Sequence, residues 1–101
     1  MKKYTVDYFI KKFTKIPANR WCTGAFKWGN KRCALGHCGV RLNNLDKKNK
    51  EADALVALAA IDNTAIYWVN DGLGFWTYKG QSPRTRILNF LKEIKANENS
   101  K

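Results

Sequence analysis

The sequence predicts a small α+β domain that is mainly helical, with about four helices and one short β-hairpin. Apolar residues recur at helical spacing near both ends of the chain. The tripeptide Asn70-Asp71-Gly72, a typical hairpin turn, lies between two β-prone segments. With 101 residues, 45% of them hydrophobic, the chain can bury one modest core. We therefore expect one globular domain over residues 1–96 and a frayed tail over residues 97–101.

The first helix is predicted over Val6 to Lys15. Thr5 can cap its N-terminus, because a threonine hydroxyl accepts a backbone N–H of the first turn. Pro17 ends it, since proline disfavours helical geometry in the residue before it and has no backbone donor. The apolar residues of this stretch have the spacing of one helical face: Val6, Phe9, Ile10, Phe13 and Ile16.

The next stretch is aromatic and is predicted to be extended from Trp21 to Trp28, with a turn at Gly29-Asn30. A second helix is expected from Arg32 to Leu42. Gly36 and Gly39 would weaken that helix unless another backbone packs closely there. Its apolar face would consist of Leu35, Cys38 and Leu42.

Two further helices are predicted in the second half of the chain. Residues 43–50 are polar and predict a loop, and an alanine-rich helix follows from Glu51 to Ala60. The last helix begins at Ser82-Pro83, where serine is an N-cap and proline suits the first turn. The residues expected to face the core are Leu55, Val56, Leu58 and Ala59 in the former helix and Ile87, Leu88, Leu91 and Ile94 in the latter.

The predicted hairpin lies between these two helices. Its strands would be Ala65 to Val69 and Leu73 to Tyr78, joined by Asn70-Asp71-Gly72. The glycine suits the positive φ of such a turn, and the aspartate can accept backbone donors across it. Trp68, within an apolar run, should then be a core residue, whereas Trp76 should be exposed.

The formal net charge of +11 is concentrated in the first half of the chain. Residues 1–50 contain 13 lysines and arginines against Asp7 and Asp46, whereas residues 51–101 contain six charges of each sign. Such a basic surface suits a polyanionic partner: nucleic acid, a nucleotide, an acidic protein or an anionic membrane. A basic surface that serves only solubility is the simpler alternative.

The sequence also predicts the compartment. Lys11 and Lys12 interrupt the apolar run that a signal peptide requires. The longest apolar run, Ala54 to Ile61, is far shorter than the roughly 20 residues that cross a bilayer. We therefore expect a cytoplasmic protein that does not insert into membranes. Three cysteines, an odd number, favour reduced thiols over a disulfide framework.

A zinc site is one interpretation of residues 21–39, which contain all three cysteines and the only histidine. Cys33 and His37 have i, i+4 spacing, so on a helix they would face one metal, and Cys22 could supply a third ligand. A structural zinc site normally has four ligands, and the sequence offers no fourth. We therefore expect no metal and no other cofactor.

A thiol enzyme is a second interpretation. Cys22 or Cys33 would be the nucleophile and His37 the base, oriented by a residue of Asn70-Asp71. Nothing in the sequence indicates an oxyanion hole, and cysteines beside alanine and leucine are more often buried packing residues. The favoured expectation is a protein without enzymatic activity.

Binding through aromatic and basic residues is the third interpretation. Flat aromatic rings can stack on bases while neighbouring cations meet the phosphates. The candidate binding residues are Lys11, Lys12, Lys27, Trp28, Lys31, Arg32, Trp76, Tyr78, Arg84 and Arg86. Some of the aromatic residues would instead form the core, as is usual in a small domain.

Three short motifs occur in order along the chain: Trp21-Cys22-x-Gly24-Ala25, then Cys33-Ala34-Leu35-Gly36, then Trp68-x-Asn70-Asp71 before a C-terminal helix. Over residues 4–95 the chain thereby resembles a family of short uncharacterised bacterial and phage proteins with a WCxGA, CALGA and WND order. The resemblance implies no activity. It implies that Trp21, Cys22, Cys33 and Asn70-Asp71 define the fold, with the aspartate tying a turn.

The chain departs from the family pattern at two places. His37 and Cys38 follow Gly36 where the family has alanine and leucine, and Val69 is inserted into the third motif. A histidine at an apolar family position argues against both the zinc site and the thiol enzyme.

We therefore expect a small non-enzymatic binding protein, encoded by a phage or another mobile element, that binds nucleic acid or a nucleotide-like anion. The alternative is a small inhibitor of a host protein, of the anti-defence or anti-CRISPR type. Compact size, charge bias and exposed aromatic residues suit a protein interface equally well. Salt dependence separates the two, because phosphate binding weakens steeply as salt rises.

Overall fold

Five α-helices and one two-stranded antiparallel hairpin form the described part of the chain, which comprises residues 4–41, 47–61, 64–73 and 82–99 of a computed structural model. The predicted α+β class is confirmed. The helices are α1 (Val6–Thr14), α2 (Ala34–His37), α3 (Lys50–Ile61), α4 (Ile66–Asp71) and α5 (Pro83–Asn99), and the strands are β1 (Lys27–Trp28) and β2 (Lys31–Arg32). A 3₁₀ turn at Ala18–Arg20 follows α1. None of the described helices combines the length and apolar character needed to cross a membrane.

Helices α1 and α5 pack against each other and form the centre of the core. Thr5 Oγ1 accepts the backbone N–H of Tyr8, and Ser82 Oγ accepts that of Thr85, so both predicted N-caps are confirmed. Full burial of one large apolar side chain contributes about 1.5–3 kcal/mol. The buried residues are Val6, Phe9 and Phe13 on α1 and Ile87, Leu88, Phe90, Leu91 and Ile94 on α5.

Helix α3 begins and ends within one residue of its predicted bounds. Leu55 and Ala59, four residues apart, are fully buried, as predicted. Val56 is 46% exposed, so its predicted core position is wrong. It is rotated by about 100° from Leu55 around the helix axis, and this rotation carries it away from the core.

Residues 66–71 form helix α4, not the predicted strand. Ile66, Val69 and Asn70 are buried, and their i, i+3, i+4 spacing is that of a helical face. Tyr67 and Trp68 lie on the other side of the helix. Trp68 is 44% exposed, so its predicted place in the core is also wrong.

The tripeptide Asn70-Asp71-Gly72 ends α4 and does not form a hairpin turn. Gly72 is the C-cap with φ +75°, so the predicted positive φ is confirmed, but in a helix terminus. The backbone N–H of Leu73 donates to the carbonyl of Trp68, which closes the terminus. The predicted second strand, beyond Leu73, lies outside the described residues, as do Trp76 and Tyr78.

The hairpin lies earlier in the chain, at β1 and β2. Its cross-strand pairs are Lys27 with Arg32 and Trp28 with Lys31, joined by the predicted turn at Gly29-Asn30. The helix predicted from Arg32 to Leu42 is therefore wrong at its start, because Arg32 belongs to the strand ladder, and at its end, because residues 38–41 are not helical. Helix α2 begins only at Ala34 and ends at His37, and Leu42 lies outside the described residues.

Candidate nucleic-acid interface

Asn70 and Asp71 hold residues 21–39, here called the central segment, in place. Asn70 Oδ1 accepts the backbone N–H of Ala34 at 3.0 Å, and its Nδ2 donates to the carbonyl of Cys22 at 2.9 Å. Asp71 Oδ2 accepts the backbone N–H of Gly24 at 3.2 Å. The expectation that Asp71 accepts backbone donors across its own turn is wrong, because the backbone donor that the structure shows for it is Gly24, in the central segment. Hydrogen bonds from the last two residues of α4 thus connect both halves of this segment.

Gly36 allows the hairpin to pack directly against α2. A β-carbon at Gly36 would lie 2.0 Å from the carbonyl oxygen of Phe26, a distance that no pair of these atoms can adopt. The same carbonyl accepts the backbone N–H of Cys33 at 3.3 Å. The close backbone contact predicted for this glycine is confirmed, and it fixes the hairpin over the helix.

The hairpin, the segment that follows α1 and His37 of α2 line a cleft of about 460 Å³, here called the basic cleft. Its charged lining consists of Arg20, Lys27 and Arg32. Among its described lining residues there is no carboxylate, so these cations produce a positive potential inside it. The remaining lining residues are Ile16, Gly29, Asn30 and His37.

His37 forms one wall of the basic cleft and is held there by two contacts. Its Nε2 lies 3.1 Å from the carbonyl oxygen of Arg20, and its ring packs on the buried Trp21 with centroids 4.7 Å apart. Burial lowers the pKa of His37, and the charge of Arg32 lowers it further. The imidazole is therefore neutral at pH 7, and the charge of the cleft comes from its lysine and arginines.

Trp28 stands beside the basic cleft at the tip of the hairpin and is 74% exposed. Its cross-strand partner Lys31 is exposed as well. Neighbouring strand residues point to opposite faces, so this pair projects away from Lys27 and Arg32. The hairpin therefore presents cations on one face and an aromatic ring with a further cation on the other.

A second cleft, of about 660 Å³, also borders β1 and is here called the apolar cleft. Its lining includes the apolar or aromatic side chains of Phe26, Leu35 and Tyr67 and the carboxylate of Asp71. Lys27 lines both this cleft and the basic cleft. The other lining residues are Gly24, Ala25, Cys33 and Arg41.

The remaining predicted binding residues that the structure describes are not gathered at these clefts. Lys12 forms an ion pair with Glu51. Arg84 donates to the carbonyls of Ile16 and Thr14, both at 2.9 Å, and Arg86 is a buried residue with backbone partners in α4. Lys11 is exposed on α1. Conversely, the sequence did not predict two of the residues that line the clefts, Arg20 and Tyr67. Their sequence positions carry no signal beyond proximity to other aromatic residues.

The three cysteines are free thiols in separate environments. Cys33 Sγ accepts the backbone N–H of Gly36 at 3.4 Å and caps α2, and Cys22 Sγ donates to the carbonyl of Ala25 at 3.5 Å. Burial raises the pKa of all three thiols, which opposes formation of a nucleophilic thiolate.

This arrangement does not favour the zinc site or the thiol enzyme. Cys33 lines the apolar cleft whereas His37 lines the basic cleft, so the pair does not face one common site. Over the described ranges, no three histidine, cysteine or acidic side chains are grouped to hold a metal ion. The site best defined by the structure is the pair of clefts that share Lys27 of β1.

No protein-family model, curated protein or solved structure matches the chain. The clefts are therefore interpreted from their own chemistry.

Proposed function

We propose that this protein is a non-enzymatic binding protein for nucleic acid or a nucleotide-like anion, and that the basic cleft is its phosphate site. The observation that carries the proposal is the convergence of Arg20, Lys27 and Arg32 on one concave surface whose described lining has no carboxylate. Charge-assisted hydrogen bonds from these groups to phosphate oxygens are stronger than neutral ones. The planar guanidinium also matches phosphate geometry.

The tip of the hairpin supports the same proposal. A tryptophan that is 74% exposed leaves most of its ring surface uncovered by the described fold, and that surface can stack on a base in a partner. Trp28 is next to Lys27 in sequence and opposite Lys31 across the strands. A strand of nucleic acid that crosses the tip of the hairpin would meet Trp28 and Lys31 on one face and the cations of the basic cleft on the other.

Fluorescence anisotropy of a labelled oligonucleotide tests this proposal. We expect binding that weakens steeply between about 50 and 200 mM salt, because released counterions dominate phosphate binding. The double variant Lys27→Glu, Arg32→Glu should lose most of the affinity. The matched control is Lys50→Glu, Lys92→Glu, which has the same charge change on exposed residues that line neither cleft.

The control decides between a site and a general charge effect. If both double variants weaken binding equally, the basic cleft has no special role. If the natural chain binds no oligonucleotide even at low salt, the proposed function is wrong.

A protein inhibitor is the second candidate, and the outer face of α4 favours it. Tyr67 and Trp68 are both about half exposed, with rings packed edge to face at 6.0 Å, and the adjacent Leu73 is exposed too. Tyrosine and tryptophan are enriched among the residues that dominate protein interfaces. For either candidate we propose a cytoplasmic location and a mobile-element origin. Binding to a protein partner that is lost in Trp68→Ala and insensitive to salt would favour the inhibitor.

A further inference from the structure

We propose that the ligand is single-stranded nucleic acid, with one unstacked base in the apolar cleft and the adjoining phosphate in the basic cleft. This inference rests on the proposed function and assigns a second part of the ligand to a second cleft. Three observations support it: the residue that the two clefts share, the side chains that line the apolar cleft, and the acceptor oxygens of Asp71.

Lys27 connects the two clefts. It belongs to β1 and lines both cavities, so the two clefts border the same residue. Base and phosphate of a single nucleotide have a similar relation, since one sugar separates them. The ammonium group of Lys27 could then meet the phosphate while the base extends past it.

The apolar cleft has the size and surface of a small-ligand site. Its volume of about 660 Å³ lies in the range of such sites, which is roughly 300–1,000 Å³. Phe26 and Leu35 are half-buried and Tyr67 is half-exposed, so their apolar surface is only partly covered by the chain itself. A flat base could pack against these side chains, and the tyrosine ring could stack on it.

Asp71 gives the apolar cleft a preference among bases. Its Oδ1 accepts from Asn70 Nδ2 and its Oδ2 from the backbone N–H of Gly24. A carboxylate has about four acceptor positions, and these two donors from the described residues occupy only two of them. Guanine has two adjacent N–H donors on one edge, whereas thymine has one donor between two carbonyl oxygens that the carboxylate repels. We therefore expect guanine to bind more tightly than thymine.

A base can enter this cleft only after it leaves its stack. In a duplex, the base must be unpaired as well as unstacked. In a single strand, no base pair has to be broken and no double helix has to be distorted. The proposal thus predicts a preference for single strands. A surface that recognised phosphates alone would bind the denser charge of a duplex at least as well.

The experiment compares labelled oligonucleotides of about 12 nucleotides: oligothymidine, the same strand with one central guanine, and a blunt duplex. We expect the single strands to bind about tenfold more tightly than the duplex, and the guanine strand to bind most tightly. Tyr67→Ala, which removes a stacking ring, and Ala25→Leu, which narrows the cleft, should each weaken single-strand binding about tenfold and leave the salt slope unchanged. Val56→Ala, an exposed apolar residue of α3 that lines neither cleft, is the matched control.

The outcomes separate this inference from the proposed function. If the duplex binds as well as the single strands and both cleft variants bind normally, while Lys27→Glu, Arg32→Glu still loses affinity, the base site is wrong and the phosphate site stands. If no oligonucleotide binds, both are wrong. Equal affinity for guanine and thymine strands would remove Asp71 from base recognition. Should Ala25→Leu fail to fold, Tyr67→Ala decides the question, because Tyr67 is 52% exposed and contributes little to the core.

Discussion

The side-chain amide of Asn70 lies 2.9 Å from the carbonyl oxygen of Cys22, which is 48 residues earlier in the chain. The same amide accepts the backbone N–H of Ala34, and the residue is only 1% exposed. A single polar side chain therefore satisfies two backbone groups from separate parts of the central segment. Inside a protein such groups are costly when they have no partner.

We expect Asn70→Ala to lower the free energy of unfolding by at least about 2 kcal/mol, because it leaves a buried donor and a buried acceptor without partners. Urea denaturation followed by circular dichroism measures this change. Asn19→Ala, at an exposed position of the 3₁₀ turn, is the control and should change stability by less than about 0.5 kcal/mol. Similar losses for both variants would mean that Asn70 does not organise the central segment.

Gly36→Ala should destabilise the protein by about 3 kcal/mol or more, because the new methyl group would occupy the place of the Phe26 carbonyl and push the hairpin away from α2. Gly24→Ala is an informative control. Gly24 has φ +75° but open space around its β-position, so only backbone strain of about 1–2 kcal/mol is expected. Thermal melts of the two variants give the comparison, and the reverse order would contradict the close packing described above.

Arg86 illustrates how a predicted ligand cation becomes a structural residue. Its Nε donates to the carbonyl of Val69 at 3.1 Å and its Nη2 to that of Asn70 at 2.8 Å, so it caps the C-terminus of α4. A β-carbon at Gly72 would lie 2.9 Å from this guanidinium, which gives Gly72 a second reason to be glycine.

We expect Arg86→Met to lower the free energy of unfolding by about 2 kcal/mol, because two helix-end carbonyls lose their charged donor. The folded variant should keep its affinity for oligonucleotides. Arg84→Met, at a partly exposed site, should cost less. Chemical denaturation and anisotropy on the same samples check both statements, and a stable Arg86→Met protein with weakened binding would return Arg86 to the binding surface.

Local signals in the sequence predicted the parts of the fold that depend on local chemistry. Thr5 and Ser82 cap their helices because the donors they satisfy lie three residues away. The strand predicted at residues 65–69 failed for the converse reason. A run as short as Ile66 to Val69 does not reveal its period, and its β-branched and aromatic residues favour a strand until tertiary packing selects a helix.

The sequence predicted the types of residue at the candidate site better than it predicted which individual residues form it. Lys27 and Arg32 face one cleft because two-residue strands pair them, and strands this short leave no alternation in the sequence. Lys12 and Arg84 looked equally available, yet each has a partner distant in sequence, Glu51 and Ile16 respectively. Only the fold distinguishes a cation that faces a cleft from one that ends a helix or pairs with a carboxylate.

Tyr8 should make stability depend on alkaline pH. Its hydroxyl donates to Glu51 at 2.8 Å, and this hydrogen bond, together with burial and the carboxylate charge, raises the pKa of Tyr8 to about 12. The unfolded value is about 10, so the folded state holds the proton more tightly. The resulting stabilisation is fully present below about pH 10 and is lost as pH rises towards the folded pKa.

We therefore expect Tyr8→Phe to be less stable than the natural chain at about pH 8, and the difference to shrink at about pH 11. Unfolding free energies of both proteins at the two pH values measure it, and the comparison cancels the titration of other residues. A difference that stays constant with pH would show that the hydrogen bond to Glu51 contributes nothing at this position.

The hydrogen bonds from α4 to the central segment determine which binding properties a shortened chain could keep. Residues 1–50 contain the whole excess of positive charge, but the backbone groups of Cys22, Gly24 and Ala34 take their partners from residues 70 and 71. Under the proposed function, a peptide of that first half would keep the charge that attracts polyanions but not the clefts proposed for base and phosphate. We therefore expect such a fragment to bind polyanions without discriminating among them.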